Sequence, residues 1–225
     1  MTGATVGTTD ALRDRIARLD SCALSDALDT LGLAGATTGI HPLWPVREAV
    51  VGTVRTVRAG PRRDGQPAAH IAAAAVDSAG PGQILVIAND GRLDVSCWGG
   101  ILALAATRRG IGGVVIDGAC RDIGESEELD LPVFGRAVVP VSARGRIVQL
   151  GMDERIDVAG VPVQTGDWVV ADRNGVVFVP AAGADRVVAL AERIVRREEG
   201  MAEAVRAGKP VDQVMHDSRF PSVEE

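Results

Sequence analysis

Ile84-Leu85-Val86-Ile87, then Trp98-Gly99-Gly100-Ile101-Leu102, then Val114-Val115-Ile116-Asp117-Gly118: these three runs, close together in the chain, decide the fold. The first is a continuous apolar run, as a strand covered on both faces requires. A loop from Asn89 to Trp98 leads to the two glycines. The segment from Ile101 to Arg109 has helical character and closes at Gly110. The third run is another buried strand. Strand, loop, helix and strand make a β-α-β unit in a mixed α/β domain.

Outward from this unit the pattern continues. Leu12, Ile16 and Leu19 give one apolar stripe of a first helix, capped by Thr9 or Asp10. Ser25-Asp26-Ala27-Leu28-Asp29 reads as a second short helix capped by Ser25, so the N-terminal helices occupy about 9–32. Val50 to Val57 is rich in β-branched residues and reads as a strand. Arg62 to Gln66 reads as a polar loop, and Ala68 to Ala79 as a helix ending at Gly80-Pro81-Gly82. Short strands are expected at Pro132-Val133-Phe134, Ile147 to Leu150, Val161 to Val163, Trp168 to Val170 and Val176 to Val179. Asn174-Gly175 is a hairpin signal between the last two. A long helix runs from about Asp185 to Val205, with Val187, Ala191, Ile194, Met201 and Val205 on its apolar face. A polar tail occupies about 209–225. No repeat and no linker divides the 225 residues, so one domain spanning 1–225 is expected.

Composition bounds the function. Hydrophobic residues make up 46% of the chain, enough to exclude disorder throughout. Aromatics are only 3%, so the core rests on aliphatic residues and stacking on nucleic-acid bases is not expected. The net charge of -6 argues against a phosphate-backbone footprint. Cys22, Cys97 and Cys120 are odd in number and widely spaced, which fits neither a disulfide framework nor a zinc site. The chain opens without a secretory signal and holds no membrane-length apolar run. The expectation is a cytoplasmic protein without nucleic-acid or membrane partners.

Familiar catalytic motifs are absent. There is no Gly-x-Ser-x-Gly and no phosphate-binding loop. Gly110-Ile111-Gly112-Gly113 precedes a strand instead of opening a helix, the wrong context for a dinucleotide. His41, His70 and His216 are isolated in sequence. Two segments carry chemistry instead. At Gly99-Gly100-Ile101-Leu102 a loop enters a helix, whose free amides and dipole suit a carboxylate. Beyond the Val114-Val115-Ile116 strand, a loop carries Asp117, Arg121, Asp122 and Glu125. Its carboxylates are hard oxygen ligands of the kind Mg²⁺ takes. Arg121 sets a fixed cation beside them, suited to an oxygen that gains charge during reaction. Each segment alone is equally compatible with an ordinary helix entry or a surface ion pair.

Together, Gly100, then twenty residues, then Arg121-Asp122 and Glu125 resemble the class II 4-hydroxy-4-methyl-2-oxoglutarate aldolases. That family also includes the regulator of ribonuclease activity A. Pro81-Gly82-Gln83-Ile84, Ser25-Asp26-Ala27-Leu28 and the run from Gly166-Asp167 to Pro180 extend the resemblance from about Ser25 to Val205. It implies an α/β, single-domain β/β/α swivelling-type fold with a mixed sheet and a long C-terminal helix, assembled as a homotrimer or hexamer. It implies that Gly99, Gly100, Ile101 and Leu102, with Arg121, bind the substrate. It implies that Arg121, Asp122 and Glu125 are catalytic, with Asp122 on Mg²⁺ or Mn²⁺ and Glu125 reaching the metal through water. Some relatives carry an acid where this chain has Gly100, and no role for such a side chain transfers here. The implied activity is metal-dependent cleavage of a 4-hydroxy-2-oxo acid to pyruvate, with oxaloacetate decarboxylation as a related reaction. The ribonuclease-regulator branch implies the alternative, a non-catalytic protein binder, and Glu125 favours the enzyme. Lys209, the only lysine, is poorly placed for a Schiff base.

Overall fold

The computed structural model describes residues 3–62 and 69–216. Helices α1 (Gly3–Ile16) and α2 (Ser21–Thr30) precede β1 (His41–Pro42) and the long β2 (Val50–Pro61). Then come α3 (Ala73–Ser78), β3 (Ile84–Ser96), α4 (Gly100–Arg108), β4 (Gly113–Cys120) and α5 (Ile123–Glu128). Short strands follow: β5 (Val133–Gly135), β6 (Ala137–Val138), β7 (Ile147–Met152), β8 (Ile156–Val158), β9 (Val161–Val163), β10 (Trp168–Ala171) and β11 (Val176–Val179). The chain closes with α6 (Ala184–Arg206) and α7 (Val211–Met215).

One mixed sheet runs in the order β1-β5-β4-β3-β2-β10-β11, with β6 added to β4 and β7 to β2. The pairs β2–β3, β3–β4 and β4–β5 are parallel, while β7 and β10 flank β2 antiparallel. The mixed α/β fold and the long C-terminal helix agree with what the sequence implied. Period-two alternation sorts the core. Leu85, Ile87, Val114 and Ile116 face α3 and α4, together with Ala103 and Ala106. Ile84, Val86 and Val115 face the opposite side, with Phe134, Val169 and Phe178. On β10 and β11 the other face, Val170, Val177 and Val179, packs on α1, α2 and α6 through Ile16, Leu28, Val188 and Ala191.

Several local expectations are corrected. The first helix begins at Gly3, so Thr9 and Asp10 lie inside it and do not cap it. The cap of α2 is Asp20, whose side chain accepts from the Ala23 amide at 2.8 Å; Ser25 sits mid-helix. The alanine run gives a helix only over Ala73–Ser78, because Ala72 takes a left-handed conformation and its amide is held by Gln149. The expected loop at Asn89 is instead a kink within β3. Asp90 and Gly91 have positive φ, and pairing to β4 resumes at Arg92 and Ser96. The tail contributes α7, and the rest of it, 217–225, lies outside the described residues, as does 63–68 of the expected polar loop and alanine run.

Leu28 is fully buried against α6 and touches the Gly35 turn. Leu28→Ala should therefore cost about 2–5 kcal/mol. Asp20→Ala, which removes one cap, should cost about 1 kcal/mol. Urea unfolding of the two variants, compared with the unaltered protein, checks both the ranking and the sizes.

Candidate active site

Parallel pairing of β3 and β4 brings the two chemical segments together. Beyond their ends, the Cys97 amide donates to the Ala119 carbonyl and the Arg121 amide to the Trp98 carbonyl, at 3.0 and 3.1 Å. Gly99 is extended, and α4 starts at Gly100. Asp122 then takes a left-handed conformation (φ 55, ψ 41) and turns the chain into α5. Aspartate tolerates that region better than most residues, but the placement still carries strain.

One Asp122 oxygen, Oδ2, accepts from the Gly100 amide at 3.1 Å and lies 3.2 Å from Arg121 Nε. The other, Oδ1, has no hydrogen bond among the described residues. The Gly100 amide is thus already taken, contrary to the expectation that it stands free. The next two amides, of Ile101 and Leu102, have no acceptor among the described residues, while Ala103 bonds back to the Gly99 carbonyl. Glu125 sits in the first turn of α5, and its carboxylate lies against Gly100. A Cβ at Gly100 would collide with it, and one at Gly99 would press on Asp122 and Arg121. Both glycines are therefore needed for close approach.

These groups line a cavity of about 440 Å³. Gly99, Gly100, Ile101, Leu102, Arg121 and Asp122 form one wall. Glu125 is not in the lining, and its carboxylate lies against Gly100. Asp117 is elsewhere: it is buried, paired with Arg136 at 2.5 Å, and accepts from the Ala159 amide. Sequence reasoning missed a further stretch of the lining, formed by Arg62, His70 and the turn Ser142-Ala143-Arg144-Gly145. Its only signal was the pair Arg144 and Arg146 around a glycine in an acidic chain. His41 and His216 are not in the cavity lining. Among the described residues, no three His, Cys, Asp or Glu side chains cluster as a metal cage. Two carboxylates with water suit Mg²⁺, which takes few protein ligands. No helix among the described residues is long and apolar enough to cross a membrane.

Residues 21–178 match the family model described as RraA-like, Aldolase/RraA. The chain belongs to the RraA-like family. This RraA-like chain is 30% identical over 206 residues to the protein DlpA of Legionella pneumophila, covering 92% of the chain but only 33% of DlpA. It is 32% identical over 182 residues to a Halalkalibacterium halodurans protein provisionally named a 4-hydroxy-4-methyl-2-oxoglutarate aldolase, with 81% of this chain and 82% of that protein covered. Among solved structures it resembles Streptomyces coelicolor RraAS2, described as an unusual member of the RNase ES inhibitor RraA protein family. That match has a TM-score of 0.76 and 28% identity, covering 84% of this chain and 94% of the other.

Cys97, in the cavity lining, and Cys120, which precedes Arg121, are both buried. Burial pushes the Cys120 thiol up to about 12 and the Cys97 thiol higher still. A thiol whose folded pKa is raised contributes stability fully present below its unfolded value, ~8.5, and lost as pH rises through the folded value. The chain has no tyrosine and one lysine, so few other groups titrate there. Stability should fall above about pH 9, by at most ~1.4 kcal/mol per pH unit for each thiol. Urea unfolding at stepped alkaline pH measures the slope, and Cys97→Ala with Cys120→Ala should flatten it.

Proposed function

We propose that this RraA-like chain is a divalent-metal-dependent carbon–carbon lyase. It cleaves a 4-hydroxy-2-oxo acid, of the 4-hydroxy-4-methyl-2-oxoglutarate type, to pyruvate and a second carbonyl compound. Oxaloacetate decarboxylation is a related activity of the same site. The observation that carries this reading is the convergence of Arg121 and Asp122 on a helix start with two open amides, inside one cavity. The aldolase name of the Halalkalibacterium halodurans relative supports it.

The residues divide the work as follows. The amides of Ile101 and Leu102 hold the substrate carboxylate, helped by the helix dipole. Asp122 and Glu125, the latter through water, would hold Mg²⁺ or Mn²⁺. That ion supplies Lewis-acid charge beside the 2-oxo acid. Breaking the C3–C4 bond leaves its electron pair on the pyruvate fragment as an enolate. Arg121 faces the oxygen on C2, where that charge collects. The proton of the C4 hydroxyl leaves as C4 becomes a carbonyl, and C3 takes a proton in return. Glu125, against Gly100, orders the water that carries the proton. The gap at Gly100 is what lets Glu125 lie there.

Ile101 is 83% exposed at the mouth, with Leu104 and Val138 also exposed. A second copy of the chain covers this apolar mouth, in a homotrimer or hexamer. The second reading, a protein-binding regulator, has the name of RraAS2 in its favour.

Pyruvate release from a panel of 4-hydroxy-2-oxo acids and oxaloacetate tests the reading. Chelation should abolish it and Mg²⁺ or Mn²⁺ restore it. Arg121→Ala should lower kcat about 10²–10³-fold. Arg121→Lys should recover only part, since it loses the planar fork. Asp122→Asn keeps a residue tolerant of the left-handed backbone, and excess Mg²⁺ should partly rescue it but not Arg121→Ala. Folded protein with no lyase activity on the panel would favour the regulator instead.

Assembly is checked separately. Sedimentation should show a trimer or hexamer, and Ile101→Glu should shift it toward monomer. A stable, active monomer would contradict the covered mouth.

A further inference from the structure

Cleavage of a 4-hydroxy-2-oxo acid frees a proton from the C4 hydroxyl, and that proton needs an acceptor. With the substrate head at Ile101, Leu102 and Arg121, C4 projects into the rest of the cavity. Few side chains in the lining can take a proton there. Arg62, Arg121 and Arg144 stay protonated. Asp122 is engaged by the Gly100 amide and Arg121. Ser96 Oγ donates to the Val141 carbonyl, and Ser142 Oγ accepts from the Arg144 amide. Burial pushes the Cys97 thiol up, so it stays protonated. His70 remains.

The His70 ring is held in a form that suits the task. Its Nδ1 lies 3.0 Å from the Ile71 carbonyl oxygen. A carbonyl oxygen only accepts, so Nδ1 carries the hydrogen. In the neutral ring Nε2 is then a bare acceptor, the tautomer that such a backbone contact selects. Nε2 has no partner among the described residues. One residue of β7 clamps the backbone on both sides of the ring. The Gln149 amide donates to the Ala69 carbonyl at 3.3 Å, and Gln149 Oε1 accepts from the Ala72 amide at 3.0 Å. Ile71 and Ala72 are buried, whereas His70 is exposed. An anchored segment thus presents an imidazole that solutes in the cavity can reach.

We propose that His70 is the general base of carbon–carbon bond cleavage. This rests on the lyase reading and adds the residue that takes the proton. The O–H bond at C4 breaks and its proton moves to Nε2. The electron pair left on oxygen forms the C4 carbonyl as the C3–C4 bond breaks, and the pair of that bond becomes the enolate. C3 then takes a proton from water, and the imidazolium returns its own to water, so protons balance. Oxaloacetate has no C4 hydroxyl. Its C4 leaves as CO2, and only the enolate has to be stabilised. Arg121 therefore serves both reactions, and His70 serves cleavage.

Rates on 4-hydroxy-4-methyl-2-oxoglutarate and on oxaloacetate, with saturating Mg²⁺, test the assignment. His70→Ala should lower kcat for cleavage about 10²-fold or more, with little change in KM. Its oxaloacetate decarboxylation should keep most of its rate. Imidazole added to the medium should restore part of the lost cleavage in His70→Ala and none in Arg121→Ala. Calorimetry should show oxalate bound by His70→Ala as tightly as by the unaltered protein. Unchanged cleavage, an equal loss in both reactions, or a loss that imidazole leaves in place overturns the base and leaves the lyase reading standing. A protein that decarboxylates oxaloacetate without cleaving the hydroxy acid overturns the base as well. An unaltered protein that performs neither reaction overturns the lyase reading and the base together.

Discussion

A single carboxylate oxygen joins the two halves of the site. Asp122 Oδ2 takes the amide of Gly100 on one side and faces Arg121 Nε on the other. That contact exists only because β3 and β4 lie side by side and parallel, so that the segments following them leave the sheet at the same edge. Ligands in open α/β sheets sit beyond the carboxyl ends of strands for the same reason. Here the sheet provides the register, and Asp122 then closes it by capping the start of α4. The left-handed backbone at Asp122 is the local strain this closure imposes.

Space and charge are coupled at this junction. Glycine at 99 leaves room for Asp122 and Arg121, and glycine at 100 leaves room for the Glu125 carboxylate. A helix start usually gains from an acid within its own first turn. Here α4 carries none, and acids from another element, Asp122 and Glu125, approach it from outside. That arrangement keeps the Ile101 and Leu102 amides open toward the cavity. Arg121 pairs with Asp122 there, and Arg62 and Arg144 also belong to the cavity lining.

The β-α-β core was legible because each signal was local. Continuous apolar runs marked β3 and β4, and Gly110 with its positive φ closed α4 as expected. Strand length was less legible: Asn89-Asp90-Gly91 has turn chemistry, yet β3 absorbs it as a kink because Arg92 and Ser96 still find partners on β4. Caps misled where a nearer competitor existed, as Asp20 displaced Ser25. The wall containing Asp122 could be read because its residues are few and closely spaced. The lining residues Arg62 and Arg144 could not, since they are eighty-two positions apart and are brought to one cavity by β2–β7 pairing. Glu125 was visible as a spacing, but its packing against Gly100 depends on how α5 leaves Asp122, which no spacing encodes.

The open mouth follows from the same constraint. An element of this chain laid over the start of α4 would bury the Ile101 and Leu102 amides and fill the space a substrate needs. The side chain of Ile101 therefore points outward, 83% exposed, one residue from the Gly100–Asp122 hydrogen bond. Fully burying such a side chain is worth about 1.5–3 kcal/mol. A cover supplied by another chain would gain that energy without closing the site from within. It would also lower the local dielectric, where the attraction between Arg121 and a developing oxyanion grows as water is excluded. On the proposed lyase reading, exposed apolar surface beside open amides serves one end: the helix start stays accessible to a small anion while a covering chain screens it from bulk water.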